Sequence, residues 1–98
     1  MGDQFAETYL VYGASWCPFC SRACELLNEK KKKSYFFDAA DDPEFLQRIK
    51  DFYGSRTVPV VCRIDSSTGK CHIIGGCSDL ELFLREDERK QATRGEHV

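Results

Sequence analysis

Cys17 and Cys20 are separated by two residues and follow a short apolar segment that predicts a β-strand. Pro18, which lies between them, can begin a helix because its missing N–H would have no partner in the first turn. Cys17 would then lie where free helix N–H groups and the positive end of the helix dipole stabilise a thiolate. Cys20, one turn further on, would be close enough to form a disulfide and would face inward. This spacing predicts thiol–disulfide exchange, with Cys17 as the exposed nucleophile and Cys20 as the shielded resolving thiol.

A zinc site is the alternative interpretation of a cysteine pair with this spacing. Zinc would need a second pair of ligands. The remaining candidates are irregularly spaced, and they are Cys62, Cys71, His72 and Cys77. The spacing therefore favours redox chemistry and predicts no bound metal, with a rearranged metal site left as the open alternative.

Six cysteines in 98 residues could also indicate the disulfide framework of a small secreted protein. Three of the six lie in one predicted helix, and the N-terminus lacks the features of a signal peptide, so we expect a reducing, cytoplasmic environment. Cys24 is interpreted as a buried filler. Cys62 and Cys71 would face each other across a hairpin as reduced thiols. Cys77 is the one additional thiol with a plausible redox role, although structural filler is the preferred interpretation.

The charge balance and the length exclude several classes of protein. Sixteen acidic and fourteen basic side chains give a formal charge of −2, which lacks the cationic excess that sequence-independent binding of nucleic acid needs. No apolar run approaches the roughly 20 residues that span a bilayer. We therefore expect one domain at 1–98 that binds neither nucleic acid nor membrane, with a core at about 8–85. The polar tail at 86–98 is predicted to be a frayed helix end followed by a mobile segment.

Periodic apolar residues predict the elements that must position the two cysteines. An aromatic and β-branched strand at 9–12 is closed by a glycine. The first helix carries an apolar stripe and ends in four lysines at 30–33. A second strand is predicted at 35–37. A second helix begins at 41–44, with an aspartate cap followed by a proline, and ends at Gly54.

The second half of the chain predicts a hairpin and a third helix. Strands at 57–64 and 70–74 flank a turn that is rich in turn-forming residues and longer than expected. Ser78 and Glu81 have the spacing of a capping box, with Ser78 as the N-cap of the last helix. The order β-α-β-α-β-β-α predicts an α/β fold in which two crossovers make the first strands parallel and the hairpin adds an antiparallel edge. The result is a mixed four-stranded sheet flanked by helices.

Three ordered motifs give the chain a resemblance to a known family. They are Trp16-Cys17-Pro18-Phe19-Cys20, Thr57-Val58-Pro59 and Gly75-Gly76-Cys77-Ser78-Asp79-Leu80. With these motifs in this order, the chain resembles a dithiol glutaredoxin of the Cys-Pro-Phe-Cys type over about residues 8–85. The resemblance implies the thioredoxin-like fold and glutathione-dependent reduction of protein disulfides and glutathione mixed disulfides. It also implies that the partners are glutathione and disulfide-containing or glutathionylated proteins, and we expect a monomer.

The resemblance also assigns residues to a glutathione site. Val58 would offer its backbone to the cysteine portion of glutathione, next to a cis Pro59, and the start of the last helix would hold the γ-glutamyl end. Elementary physics agrees, because helix N–H groups bind a carboxylate and paired glycines let a ligand approach the backbone. The complete set of expected contacts is Phe19, Arg56, Thr57, Val58, Pro59, Gly76, Cys77, Ser78 and Asp79.

The sequence departs from the family pattern close to the first cysteine. Ala14 stands where glutaredoxins commonly carry a lysine that supports the thiolate and the glycyl carboxylate. Arg56, or less favourably Arg22, is the candidate replacement for that lysine. Phe19 replaces the usual tyrosine and keeps its ring. Trp16 replaces a smaller polar residue and is either a lid over the sulfurs or a shielding hydrophobe.

Two other functions stay open on the sequence. One is a carrier of a 2Fe–2S cluster held by Cys17 thiolates and glutathione from two protomers, which Pro18 disfavours because cluster-binding relatives tend to have a smaller residue there. The other is a thioredoxin-type protein recharged by a reductase. Trp16 alone supports it, and the motif at 75–79 speaks against it.

Overall fold

A computed structural model describes the backbone of residues 7–96 and the side chains of residues 7–90. The expectation about a signal peptide falls on residues 1–6, and these lie outside the described part, as do the last two residues of the predicted tail, 97–98. Seven elements follow one another in the predicted order. They are β1 (Glu7–Gly13), α1 (Pro18–Glu29), β2 (Ser34–Asp38), α2 (Pro43–Tyr53), β3 (Val60–Asp65), β4 (Cys71–Gly75) and α3 (Cys77–Glu96). None of the helices in the described residues is both long and apolar enough to cross a membrane.

The four strands form one mixed sheet with the order β2-β1-β3-β4. β1 and β2 are parallel, with Tyr9 opposite Ser34, which confirms the first predicted crossover. β3 runs antiparallel to β1, with Val60 opposite Tyr12, and β4 runs antiparallel to β3. The prediction that both crossovers give parallel strands is therefore wrong for β3. The reason is that α2 and its flanking loops return the chain to the edge where β1 ends, so β3 starts there and runs back.

One layer of the core lies between the sheet and the helices α1 and α3. Tyr9 and Val11, which are alternate residues of β1, point to this face because side chains along a strand alternate in direction. They pack with a shared set of buried side chains, namely Ala23, Leu26, Leu27, Val61, Leu80 and Leu84. Burial of each leucine stabilises the fold by about 1.5–3 kcal/mol relative to an exposed position. This layer therefore fixes α1 firmly against the sheet.

A second, smaller layer lies between the sheet and α2. Leu46 of α2 packs with Ala14 and Ala39, and Tyr12 stacks on Tyr53 at a ring-centroid distance of 5.9 Å. β1 is therefore covered on both faces. The loop that leaves β1 towards α1 consequently starts from a rigid strand.

α2 begins and ends as its sequence predicts. The Asp42 side chain accepts a hydrogen bond from the backbone N–H of Phe45 at 3.1 Å, and Pro43 occupies the first turn. Gly54 has a left-handed conformation with a φ of 67°, which glycine adopts without the steric cost of a Cβ. The fixed end of α2 delivers the following loop, 55–59, to the edge of the sheet where β1 ends.

The lysine run directly after α1 contacts another helix. α1 ends at Glu29, so the lysines follow the helix instead of forming its last turn. Lys30 Nζ lies 2.8 Å from Glu88, and Lys32 Nζ lies 3.3 Å from Asp87, both on α3. Lys30 and Lys32 therefore also pair with a neighbouring helix.

α3 begins at Cys77, so the prediction of Ser78 as the N-cap is wrong. The N–H of Gly76 donates to Asp79 Oδ2 at 3.0 Å. Gly76 therefore occupies the N-cap position, and Asp79 supplies the capping-box carboxylate that the sequence analysis assigns to Glu81. The whole box lies two positions earlier than predicted.

α3 also ends later than the sequence indicates. It continues to Glu96, so the helical part of the predicted tail includes residues 86–96. The ion pairs of Glu88 and Asp87 with the lysines after α1 hold this part of the helix. Local composition does not reveal these partners, because the lysines are far away in the sequence.

Candidate active site

Cys17 occupies the N-cap position of α1, with φ and ψ angles of −91° and 119°. Its carbonyl oxygen accepts hydrogen bonds from the N–H groups of Cys20 and Ser21 at 3.1 and 3.2 Å, and its side chain makes no capping hydrogen bond. The sulfur therefore lies beside the positive end of the helix dipole, as the sequence predicts. On its other side, the Cys17 thiol donates to the carbonyl oxygen of Val58 at 4.0 Å.

The predicted solvent exposure is right for Cys20 and wrong for Cys17. Cys20 is fully buried, as expected for a shielded resolving thiol. Cys17 is also buried, with only 6% of its surface exposed, so the prediction of an exposed nucleophile is wrong. The neighbouring Trp16 and Phe19 are 66% and 63% exposed. These aromatic side chains, rather than the sulfur, form the accessible surface around Cys17.

The surroundings of Cys20 keep its thiol protonated. Burial raises the pKa of Cys20 to about 12, against an opposing hydrogen bond with the Ala14 backbone, and the nearby Cys17 thiol raises it further. Part of this burial comes from β1, because Gly13 lies directly against the Cys20 sulfur. Cys20 is therefore a neutral thiol at pH 7.

Asp38, at the end of β2, fixes the loop that precedes Cys17. Its Oδ1 accepts hydrogen bonds from the N–H groups of Ser15 at 2.9 Å and Ala40 at 3.0 Å. These two bonds, led by the one from Ala40, lower the pKa of the Asp38 carboxyl, because they favour its charged form. The Cys17 N–H completes the loop by donating to the Ala14 carbonyl at 3.0 Å. The position of the first cysteine therefore depends on a carboxylate from a neighbouring strand.

A cleft of about 650 Å³ opens beside this loop, a volume typical of small-molecule sites. Its lining contains all nine residues that the sequence analysis assigns to a glutathione site, which are Phe19, Arg56, Thr57, Val58, Pro59, Gly76, Cys77, Ser78 and Asp79. The other lining residues are Tyr53, Gly54, Ser55, Val60, Ile73 and Gly75. Cys17 adjoins the cleft through its contact with Val58. The fold thus brings the end of α2, the start of β3 and the start of α3 together next to the reactive pair.

One wall of the cleft is the start of α3. Gly75 has a φ of 123°, which side chains rarely adopt, and a Cβ at this position would overlap the Asp79 carboxylate. The glycine therefore leaves room for Asp79 to fold back onto the Gly76 N–H. The first N–H groups of a helix have no acceptor within the helix, so this wall offers hydrogen-bond donors to an anion. Asp79 adds a carboxylate that can pair with a cationic group.

Another wall is the segment between α2 and β3. The Val58–Pro59 peptide bond is cis, which confirms that prediction. β3 begins at Val60 rather than at residue 57, since Pro59 lacks the N–H that a strand ladder needs. Ser55 Oγ donates to the Thr57 carbonyl oxygen at 2.9 Å and fixes the turn before Val58. The Val58 backbone is thereby held between the cleft and the Cys17 sulfur.

The two arginines considered as replacements for the missing lysine have different surroundings. Arg56 is exposed and lines the cleft. The Arg22 guanidinium is surrounded by carboxylates, with Glu81 at 3.5 Å and both Glu25 and Glu29 at 4.0 Å. Arg56 is therefore the cation that a ligand in the cleft can reach, whereas Arg22 already forms ion pairs with glutamates.

Two other thiols near the reactive pair and the cleft, Cys24 and Cys77, pack against apolar side chains. Cys24 and Cys77 are half-buried and pack against the main core. Burial raises the pKa of both thiols. Among the side chains of residues 7–90, the structure contains no group of three or more His, Cys, Asp or Glu residues that could hold a metal ion.

The family model for glutaredoxin matches residues 9–66 of the chain. The chain belongs to the glutaredoxin family. A glutaredoxin from Pseudomonas aeruginosa is 33% identical over 76 residues, which are 78% of this chain and 83% of that protein. The solution structure of glutaredoxin from Brucella melitensis superposes with a TM-score of 0.61 at 31% identity, covering 88% of this chain and 85% of that one. The dithiolic glutaredoxin 2-C-Grx1 from Trypanosoma brucei brucei gives a TM-score of 0.62 at 29% identity, covering 88% and 86%.

This glutaredoxin is a thiol–disulfide oxidoreductase with a thioredoxin-like fold, which confirms the family, the fold class and the reaction class expected from the motifs. Sequence reasoning missed three residues that shape its site. The sequence marks Gly13 only as the end of a strand and gives no signal for Tyr53, which lines the cleft. Asp38 directly follows a predicted strand, and a carboxylate at that point is a signal for loop hydrogen bonds.

Proposed function

We propose that this glutaredoxin reduces protein disulfides and glutathione mixed disulfides, with Cys17 as the nucleophile, Cys20 as the resolving thiol and glutathione as the reductant. The observation that carries the proposal is the cleft beside Cys17, which gathers all nine expected glutathione contacts. The cleft volume of about 650 Å³ suits a tripeptide. The dithiolic glutaredoxin from Trypanosoma brucei brucei, which has a similar structure, supports the use of two thiols.

The charges around the cleft suit the charged groups of glutathione. The N–H groups at the start of α3 favour the γ-glutamyl carboxylate, and Asp79 suits the ammonium group next to it. Arg56 suits the glycyl carboxylate at the other end of the tripeptide. Between the ends, Val58 lies 4.0 Å from Cys17 Sγ, measured at its carbonyl oxygen. A cysteine portion paired with the Val58 backbone would therefore present its sulfur to Cys17.

The reaction begins with attack of the Cys17 thiolate on one sulfur of a substrate disulfide. A bond forms between the two sulfurs, the substrate S–S bond breaks, and the released thiolate takes up a proton. With a protein substrate, Cys20 loses its proton and attacks the Cys17 sulfur, which releases the second substrate thiol. Two glutathione molecules then reduce the Cys17–Cys20 disulfide and leave as glutathione disulfide.

A glutathione mixed disulfide follows a shorter route. Burial raises the pKa of Cys20 to about 12, so this thiol is a poor nucleophile until it is deprotonated. A glutathione thiolate in the cleft can attack the mixed disulfide on Cys17 without any step at Cys20. We therefore expect Cys20 to be needed for protein disulfides and to be dispensable for glutathione mixed disulfides.

Two cysteine variants test the proposal in an assay that couples the formation of glutathione disulfide to the oxidation of NADPH. Cys17→Ser should abolish the reduction of both substrate classes. Cys20→Ser should retain the reduction of a small glutathione mixed disulfide and lose the reduction of a protein disulfide. Cys24→Ser, which removes a thiol outside the pair, is the matched control and should retain both activities. Full activity of Cys17→Ser would refute the proposed function.

The proposed partners are glutathione and disulfide-containing or glutathionylated proteins, and the proposed form is a cytoplasmic monomer. All six cysteines are free thiols, and this supports the cytoplasmic assignment because a reducing compartment keeps thiols reduced. The formal charge of −2 supports a protein that does not bind nucleic acid.

A further inference from the structure

The β3–β4 hairpin carries a second pair of thiols, Cys62 and Cys71, which the proposed reaction does not use. In the antiparallel register, Cys62 lies opposite Ile73, and Cys71 lies opposite Ile64. Because side chains alternate along a strand, these four side chains point to the same face of the sheet. Cys62 and Cys71 are diagonal neighbours on that face.

The hydrogen-bond pattern of the hairpin brings opposing side chains on this face of the sheet close to one another. The Asp65 N–H donates to the Lys70 carbonyl at 2.9 Å, which places these residues at a hydrogen-bonded position of the ladder, and the Asp65 carbonyl accepts from the Gly69 N–H instead of Lys70. Pairs alternate along an antiparallel ladder, so Ile64 and Cys71 form a non-hydrogen-bonded pair, the kind in which opposing side chains are closest. A bulge directly before Cys62 increases the local twist, and twist shortens one diagonal of the ladder.

The two thiols lie diagonally on one face of the hairpin and differ in access to solvent. Cys71 raises the pKa of the Cys62 thiol, which accords with a diagonal short enough for the two groups to interact, and the Tyr53 hydroxyl also interacts with Cys62. Cys62 is fully buried, whereas Cys71 is exposed. Burial raises the pKa of Cys62 to about 12, so Cys62 does not react first at neutral pH. An accessible thiol beside a shielded one is the arrangement that disulfide exchange requires.

We propose that Cys62 and Cys71 are a second redox pair, which glutathione disulfide converts into a disulfide across the β3–β4 hairpin independently of Cys17. The Cys71 thiolate attacks one sulfur of glutathione disulfide, whose S–S bond breaks, and one glutathione leaves with the proton that Cys71 gave up. Cys62 then loses its proton and attacks the Cys71 sulfur, and the second glutathione leaves as a thiol. Together the two cysteines lose two electrons and two protons, and glutathione disulfide gains them as two glutathione molecules.

The cross-link would join two strands that contribute to the substrate cleft. Val60 of β3 and Ile73 of β4 both line the cleft. A disulfide between these strands fixes their relative position next to the bound substrate. The oxidation state of the second pair is therefore mechanically connected to a wall of the active site.

The test uses the full chain carrying both Cys17→Ser and Cys20→Ser, so that its outcome is independent of the proposed function. This variant is incubated with glutathione disulfide, alkylated, digested and mapped by mass spectrometry. We expect a peptide pair linked through Cys62 and Cys71, which a reductant separates. The proposal is overturned if Cys71 retains a bound glutathione or is alkylated as a free thiol.

Two further variants on the same background separate the roles of the two sulfurs. With Cys62→Ala, glutathione should stay on Cys71, because the resolving thiol is missing. With Cys71→Ser, an exposed substitution that preserves the fold, Cys62 should remain an unmodified thiol. Glutathione on Cys62, or a link from Cys62 to Cys24 or Cys77, would contradict the assigned roles.

Discussion

Gly13, the last residue of β1, lies so close to Cys20 that a Cβ at Gly13 would overlap the Cys20 sulfur. β1 packs directly against the thiol of Cys20 at this glycine, and the contact contributes to the complete burial of Cys20. Because protein interiors are close-packed, Cys20 cannot yield without a movement of α1. A residue outside the cysteine motif therefore sets how deep the second sulfur lies.

Gly13→Ala should push Cys20 and the start of α1 away from β1. Overpacking of this kind costs about 1–3 kcal/mol of stability, and the displaced Cys20 should impair protein-disulfide reduction more than mixed-disulfide reduction. Urea unfolding and the two activity assays measure these effects. On a Cys20→Ala background the loss of stability should largely vanish, since the sulfur is gone. An equal loss on that background would show that the contact with sulfur is not the cause.

Asp38→Ala should misplace the loop before Cys17, because it removes the acceptor shared by the N–H groups of Ser15 and Ala40. We expect kcat/KM to fall several-fold with every disulfide substrate, since small displacements of a nucleophile are costly. Asp38→Asn keeps an acceptor oxygen and should retain most of the activity. Equal losses in the two variants would indicate that the charge of Asp38, not its hydrogen bonds, is what matters.

The same carboxylate predicts an acid dependence of stability. Its hydrogen bonds lower the pKa of Asp38 in the folded state. Its contribution to stability is therefore present above the unfolded pKa of about 3.9 and is lost as the pH falls through the lower, folded value. Urea unfolding at decreasing pH measures the loss, and Asp38→Ala should flatten this part of the profile.

Stability should also decline in alkali. Burial raises the pKa of both Cys20 and Cys62 to about 12, whereas a cysteine in the unfolded chain has a pKa of about 8.5. Between these values the unfolded chain has lost the two protons and the folded protein retains them. The free energy of unfolding therefore decreases with pH, by up to about 1.4 kcal/mol per pH unit for each thiol. Cys62→Ala should give a shallower slope in urea unfolding, and an unchanged slope would contradict this assignment.

Arg56→Gln should weaken the binding of glutathione substrates, because it removes the cation that lines the cleft. We expect KM for a glutathione mixed disulfide to rise several-fold, and the difference from the parent to shrink at high salt as screening increases. Arg22→Gln is the matched control, since carboxylates at 3.5–4.0 Å occupy Arg22 and it should leave KM unchanged. A larger effect of the control would exchange the roles of the two arginines.

Features governed by local chemistry could be predicted from the sequence. Pro18 indicates where α1 begins, and the Asp42-Pro43 pair and Gly54 mark the ends of α2, because caps and proline act within a single turn. The cis Pro59 follows from the resemblance to glutaredoxins. Eight of the nine predicted cleft residues follow from family motifs and Arg56 from its position next to Thr57, and the structure brings all nine together.

Features that depend on distant partners could not be predicted in this way. The direction of β3 depends on where α2 returns the chain, and the length of α3 depends on ion pairs with Lys30 and Lys32. The burial of Cys17 depends on a wall that contains Val58, far along the sequence. In each case a tertiary contact outweighs the local pattern.

Most of the cleft comes from the second half of the chain, which has a consequence for how this enzyme can diversify. Cys17 and Cys20 lie at the start of α1, whereas all lining residues of the cleft except Phe19 belong to 53–60 and 73–79. Under the proposed function, reactivity and the choice of electron donor therefore depend largely on different segments of the chain. Substitutions in the later stretches can redirect the enzyme to a different thiol while leaving the sulfur chemistry intact.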